Sequence, residues 1–287
     1  MTHDDASLRF LFNDADIRGE CVVLESALQA LLQRHDYSSS IQALLGEFAA
    51  AVVLISNNLK YHGKIVLQAR SAQALDLIMV ECTSDLKIRG IARGNLGAIT
   101  ATPMELISGG QLAITIEREA NQRYQGIVAL ESATLAQALD SYFQQSEQLH
   151  TRFWLASSPE RAAGLMLQQL PAQRQQPAET RESQWHTACV LAETTTAGEL
   201  LALSPPTLLH RLFHETPVRI FDPRPIAFSC SCSRERSLNA LSLLAEEEQA
   251  ELLVAQGHIT LDCELCGTQY CFVQSDIPTL AETGRVH

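Results

Sequence analysis

The feature that most constrains this chain is a set of four cysteines near its C-terminus. Cys230 and Cys232 lie in F-S-C-S-C-S-R-E-R, and Cys263 and Cys266 in L-D-C-E-L-C-G, with thirty residues between the pairs. Two close thiol pairs brought together make a tetrahedral four-sulfur site, a donor set that suits Zn²⁺. Gly267 directly follows the second pair, where a tight turn is needed. The C-x-C pair and the long spacer set the pattern apart from the common zinc ribbon. In a reducing compartment paired cysteines act as metal ligands or redox groups rather than as a disulfide framework. The alternative, four structural core thiols, does not account for two close pairs in so short a stretch.

The 287 residues have room for two or three folded units. A formal net charge of −12 argues against a general nucleic-acid binder or a partner for anionic membranes. The first residues, M-T-H-D-D-A-S-L-R-F, lack the basic and apolar regions of a signal peptide. No stretch reads as a membrane span of roughly 20 apolar residues. The expectation is a cytoplasmic α+β protein.

Three regions are expected. Residues 1–157 form a mixed helix and sheet domain, with weak strands at Leu8–Phe12 and Cys21–Leu24 and helices at Ser26–Arg34 and Ser40–Ile55. Strands follow at 65–70, Leu75–Cys82 and Leu86–Ala92, then a hairpin of Gln111–Arg118 and Tyr124–Leu130, and an amphipathic helix over Leu135–Leu149. Residues 158–229 read as a helical, metastable linker. It comprises a short helix at Pro159–Leu170, a Gln-rich connector, and helices at Thr187–Leu203 and Thr207–Phe213 broken by Ser204-Pro205-Pro206. Such short helices owe their stability to what they pack against. A plain helical subdomain is the simpler reading of the same residues. Residues 230–287 form the cysteine module, with a helical region over Ser237–Gln256 stopped by Gly257 and a hairpin carrying C-x-x-C at its turn.

Other candidate chemistry is weak. Gly90, Gly94 and Gly97 match no phosphate-loop spacing. Cys21 and Cys82 sit in apolar runs and read as inert core thiols. His210 and His214 stand four apart but have no third ligand nearby, so a helix face explains them.

A module of under sixty residues has too small a core to be secure alone. Metal binding to a closed cysteine site contributes on the order of 10 kcal/mol to folding. Thiolates are also what oxidants attack, and each close pair can close into its own disulfide. Oxidation would then remove the ligands and the energy that folds the module. A purely structural site has the same ligands.

The stretch R-I-F-D-P-R-P-I-A-F-S-C-S-C-S-R-E-R together with D-C-E-L-C-G-T-Q-Y-C-F resembles the redox-switch domain of the thirty-three-kilodalton heat shock protein family. H-D-Y-S-S-S-I-Q-A-L-L-G-E, L-K-I-R-G-I-A-R, Y-Q-G-I-V and S-Y-F-Q-Q-S-E-Q-L-H-T-R resemble its N-terminal domain, and A-A-G-L-M-L-Q-Q-L-P the start of its linker. The resemblance implies an ATP-independent holdase with one Zn²⁺ per chain on Cys230, Cys232, Cys263 and Cys266. It further implies that oxidation forms Cys230–Cys232 and Cys263–Cys266 disulfides, releases zinc, and unfolds switch and linker. The active form then binds unfolding client proteins as a homodimer, with no catalytic residues. Cys271 and Cys189 lie outside that pattern; Cys271 could shuffle disulfides or replace a ligand, and Cys189 could form non-native links. Two readings compete: a dithiol oxidoreductase using C-x-x-C, which needs a thiol at a helix N-terminus, and a zinc-stabilised protein adaptor without a switch.

Overall fold

The computed structural model describes residues 5–33, 35–59, 61–100, 102–118, 122–174 and 176–277. The chain forms two compact units, Met1–Ser229 and Cys230–His287.

The first unit opens with strands β1 (Ala6–Phe12) and β2 (Ile17–Leu24), then helices α1 (Ser26–Leu32) and α2 (Ser39–Asn57). Strands β3 (Gly63–Arg70), β4 (Leu75–Thr83) and β5 (Lys87–Gly94) follow, then β6 (Gln111–Arg118) and β7 (Gln122–Ala129). Helix α3 (Leu135–Tyr142) runs into a π-turn at Phe143–Glu147, which leads to β8 (Thr151–Ser157) and β9 (Ala162–Gln169). Helices α4 (Ala178–Glu193), α5 (Ala197–Ala202) and α6 (Pro205–Phe213) come next. The unit closes with short strands β10 (Val218–Ile220), β11 (Arg224–Pro225) and β12 (Ala227–Phe228).

One sheet has the order β10-β1-β2-β9-β8, with β11 also on β1, and the other β12-β5-β4-β3-β6-β7. The architecture is α+β. Helix α2 forms because apolar residues recur without a break and Ser38 caps its start, accepting from the Ile41 N–H. It packs between strands of both sheets, with Leu44, Leu45, Phe48 and Leu54 fully buried. Its 19 residues are long and apolar enough to cross a membrane by length and composition, contrary to the sequence reading. In this fold 78% of that apolar window is buried inside the protein.

Helices α4–α6 cover the outer face of the first sheet. Leu208, Leu209, Leu212 and Phe213 pack with Leu8, Phe10, Phe12, Leu165 and Leu167. The Phe213 ring meets Phe12 edge-on, with centroids 5.0 Å apart. Within this layer α4 is the thinly held part. Helix α4 buries only Ala188, Cys189 and Ala192. Gln176 Oε1, Gln184 Oε1 and Thr195 Oγ1 are buried without a hydrogen-bond partner among the described residues.

The structure corrects the linker. Residues 162–169 are strand β9 and not a helix, hydrogen-bonded to β2 on one side and β8 on the other. Ala-Ala-Gly-Leu-Met-Leu-Gln-Gln has helical propensity, but burial on both faces of a sheet overrides it. The linker's far end is also extended: β10 and β11 pair with β1, and β12 pairs parallel with β5. Between them Arg224 donates to Asn57 Oδ1 and, at 2.9 Å, to the Ser84 carbonyl. The Gln-rich connector is shorter than expected because α4 starts at Ala178. Strand β8 was not anticipated. The expected helix end at Arg34, the first four residues and the last ten lie outside the described residues.

The second unit comprises α7 (Arg234–Leu241), α8 (Glu246–Gln256), β13 (Ile259–Asp262) and β14 (Gln269–Phe272). The expected single helical region breaks at residues 242–245. There the buried Gln249 carboxamide donates to the Leu241 and Leu244 carbonyls. The apolar core of this unit is Leu241, Ile259, Phe272 and Ile277.

Candidate metal centre

Each thiol pair is held by local geometry. Beyond β12 the chain enters Cys230-Ser231-Cys232, and Ser233 then caps α7, accepting from the Arg236 N–H at 3.2 Å. Arg236 reaches back to the Ser231 carbonyl at 2.8 Å and its hydroxyl at 2.9 Å, fixing the turn between the first two cysteines. The second pair sits in the turn of the β13–β14 hairpin. The Cys266 and Gly267 N–H groups both donate to the Cys263 carbonyl, at 3.2 and 2.7 Å. This knuckle requires a left-handed residue at 267, and Gly267 has φ +66°. Arg234 ties α7 to the hairpin: it donates to the Cys271 carbonyl at 2.7 Å, pairs with Asp276 at 2.9 Å, and lies over the Phe272 ring.

The result brings the four sulfurs of Cys230, Cys232, Cys263 and Cys266 within 4.8 Å of one another. Cys230 and Cys263 are 3.7 Å apart, Cys232 and Cys266 3.3 Å. Four ligands at about 2.3 Å from a tetrahedral Zn²⁺ lie roughly 3.8 Å from each other, so the cluster is close to that size. The group could hold a metal ion, and four soft sulfur donors fit zinc better than calcium or magnesium.

The electrostatics point the same way. Burial pushes the Cys263 thiol up to about 12 and raises Cys232. Burial also opposes ionisation of Cys266, yet hydrogen bonds from Thr268 and from the Cys232 and Cys263 thiols bring it down to about 6. Hydrogen-bond donors around Cys266 thus favour its thiolate. Four thiolates at this spacing need a cation among them. The Tyr270 hydroxyl donates to Cys232 Sγ at 3.2 Å. Sequence reasoning missed Tyr270, Thr268, Arg234 and Arg236, because their roles depend on the hairpin register and the α7 start.

Cys271 is not in the cluster. It is exposed on β14, alternating with the inward-facing Tyr270 and Phe272. Cys189 is buried in α4, where burial raises its thiol to about 12. Cys21 and Cys82 are buried too, and burial raises both. The His210 and His214 rings stand 6.2 Å apart on α6, and the cysteine cluster is the sole metal-ligating group found among the described residues. Gly90 and Gly94 lie in β5 and not in a phosphate loop. The C-x-x-C sits in a hairpin turn, without the helix N-terminus that a dithiol oxidoreductase uses.

Comparison with known proteins agrees with this construction. The family model described as Hsp33 protein matches residues 5–273. The 33 kDa chaperonin of Pseudomonas paraeruginosa is 50% identical over 283 residues, covering 98% of this chain and 95% of that protein. The 33 kDa chaperonin of Pseudomonas syringae pv. tomato is 46% identical over 285 residues, with coverage of 98% and 95%. In fold, the chain is similar to the crystal structure of the 33 kDa chaperonin of Thermotoga maritima. The TM-score is 0.83 at 19% identity, covering 98% of this chain and 99% of that one. A matching family model over nearly the whole chain, relatives at half identity and a four-cysteine cluster in the C-terminal unit give one conclusion: the chain belongs to the Hsp33 family of chaperones.

Proposed function

We propose that this chain is a redox-activated, ATP-independent holdase of the cytoplasm, with one Zn²⁺ held by Cys230, Cys232, Cys263 and Cys266 in its resting state. The observation that carries the reading is the four-sulfur cluster in a unit whose apolar core, among the described residues, is four buried side chains with four partly buried ones against them. When bound, the ion keeps the four sulfurs as thiolates and contributes the folding energy that so small a core lacks.

Oxidation joins Cys230 to Cys232 and Cys263 to Cys266. Each thiolate pair gives up two electrons as its S–S bond forms, and with two protons from solvent one hydrogen peroxide per pair is reduced to two waters. The site then has no thiolate ligands, and the unit loses its metal and its fold. Linker helices α4–α6, of which α4 is thinly packed, detach in turn. Their departure bares Phe10, Phe12, Leu165 and Leu167 on the first sheet, an apolar surface that suits unfolding client proteins. Dimerisation of the activated form belongs to the same reading.

The test is to treat the reduced, metal-loaded protein with peroxide and mild heat, following metal release to a chromophoric chelator alongside aggregation of a thermally unfolding client. Release followed by suppression of aggregation is expected. Metal release with no suppression would sink the holdase reading.

A further inference from the structure

A cavity of about 520 Å³ opens in the first unit at the C-terminal end of α2, and its lining includes none of the cluster cysteines. That volume lies in the range of small-molecule sites. Its walls are apolar: Ile114 and Ile116 of β6, Ile55 of α2 and Met166 of β9. The Tyr142 ring closes one side by lying against Gly126, where an added Cβ would stand 2.5 Å from the ring.

Three arginines line this space, Arg18, Arg118 and the exposed Arg123, although the chain as a whole carries a net charge of −12. Arg18 is half-buried in the inner wall. Its Nε donates to the Gln168 carboxamide oxygen at 2.9 Å, and a terminal nitrogen bonds to the same oxygen. A neutral amide is therefore its one hydrogen-bond acceptor among the described residues. The neighbouring carboxylate on the strand face, Glu20, is already engaged. It accepts from Ser7, Asn57 and Asn58, and burial raises it to about 7. Arg118 ends the row Ile114, Ile116, Arg118 on one face of β6. It is exposed at the cavity mouth, with no side-chain hydrogen bond or ion pair among the described residues. Arg18 is partly desolvated, with Glu20 as its nearby carboxylate, and a further carboxylate is the fork-shaped acceptor that guanidinium groups match.

We propose that this cavity binds a single-chain alkyl carboxylate, with its headgroup between Arg18 and Arg118 and its chain along Ile114, Ile116 and Met166. The site is independent of the cysteine cluster and of the holdase reading.

The test uses the full-length reduced protein and isothermal titration with decanoate below its micellar concentration. Butanoate and decyltrimethylammonium serve as controls for chain and charge. One decanoate per chain is expected, with no saturable binding of either control. Arg118→Glu should weaken decanoate about tenfold or more, the loss of one charge-assisted contact. Ile116→Trp, which fills the cavity and leaves both arginines in place, should abolish binding while the thermal transition is retained. If Ile116→Trp does not fold, Arg118→Glu decides. Unchanged affinity in Arg118→Glu, equal binding of the ammonium amphiphile, or non-saturating uptake would each overturn the proposal.

Discussion

The two units of this protein are stabilised in opposite ways. The first wraps two six-stranded sheets around α2 and buries a continuous apolar cluster that includes Phe48, Leu44 and Tyr142. The second has an apolar core of Leu241, Ile259, Phe272 and Ile277, and four sulfurs within 4.8 Å. Apolar burial at about 25 cal/mol per Å² supports the first without help. It leaves the second dependent on its thiols. On the proposed reading, chemistry at four atoms removes the fold of the second unit and the order of α4–α6 while the two sheets and α2 of the first unit stay folded.

That contrast breaks most sharply at a ligand. Cys266→Ala removes a donor from the metal-loaded protein, and on the order of 10 kcal/mol of metal-coupled folding energy is at stake. Amide resonances of residues 230–277 should collapse toward random-coil positions while those of β3–β7 keep their dispersion. Dispersed signals from both units would show that the module folds without its full ligand set.

The converse change lies in α2. Phe48→Ala empties a fully buried site and should cost about 3–5 kcal/mol in denaturant unfolding of the first unit. Metal affinity, read by chelator competition, should not move.

A third probe sharpens the account of the first unit. Burial raises Glu20 to about 7, above its ordinary value near 4.5. The native state therefore holds a proton that the unfolded chain has lost between those two values. Stability should fall as pH rises from about 4.5 to 7, by up to about 3 kcal/mol from this group. Glu20→Gln should reduce that slope in melts at pH 5, 6, 7 and 8, leaving the share from Glu47, which burial also raises to about 7. An unchanged slope would mean that Glu20 is not the group responsible.

The smallest effect is expected at Tyr270. Tyr270→Phe removes the hydroxyl donor to Cys232 Sγ and should weaken metal binding about tenfold without unfolding the module. Equal affinity would relegate that hydroxyl to a bystander.

How much of this was legible in the sequence follows from the range of the interactions. The clustering of the four cysteines could be read because close thiol pairs declare their chemistry within a few residues. Helix α2 and the β6–β7 hairpin were legible for the same reason, since periodicity is local. Strand β9 was not, because its Ala, Leu, Met and Gln favour a helix and only pairing with β2 and β8 decides otherwise. Two-residue strand β12 carries no pattern to detect, and neither does the reach of Arg224 to Asn57. At the site, the opposite fates of Tyr270 and Cys271 depend on the register of β14 against β13.

The central claim is that the thiol cluster controls the order of helices α4–α6 as well as of its own unit. Amide hydrogen exchange on the oxidised, metal-free protein tests this most directly. Residues 178–213 and 230–277 should lose protection together while β1–β9 remain protected. Full protection of 178–213 after the metal has gone would contradict the account.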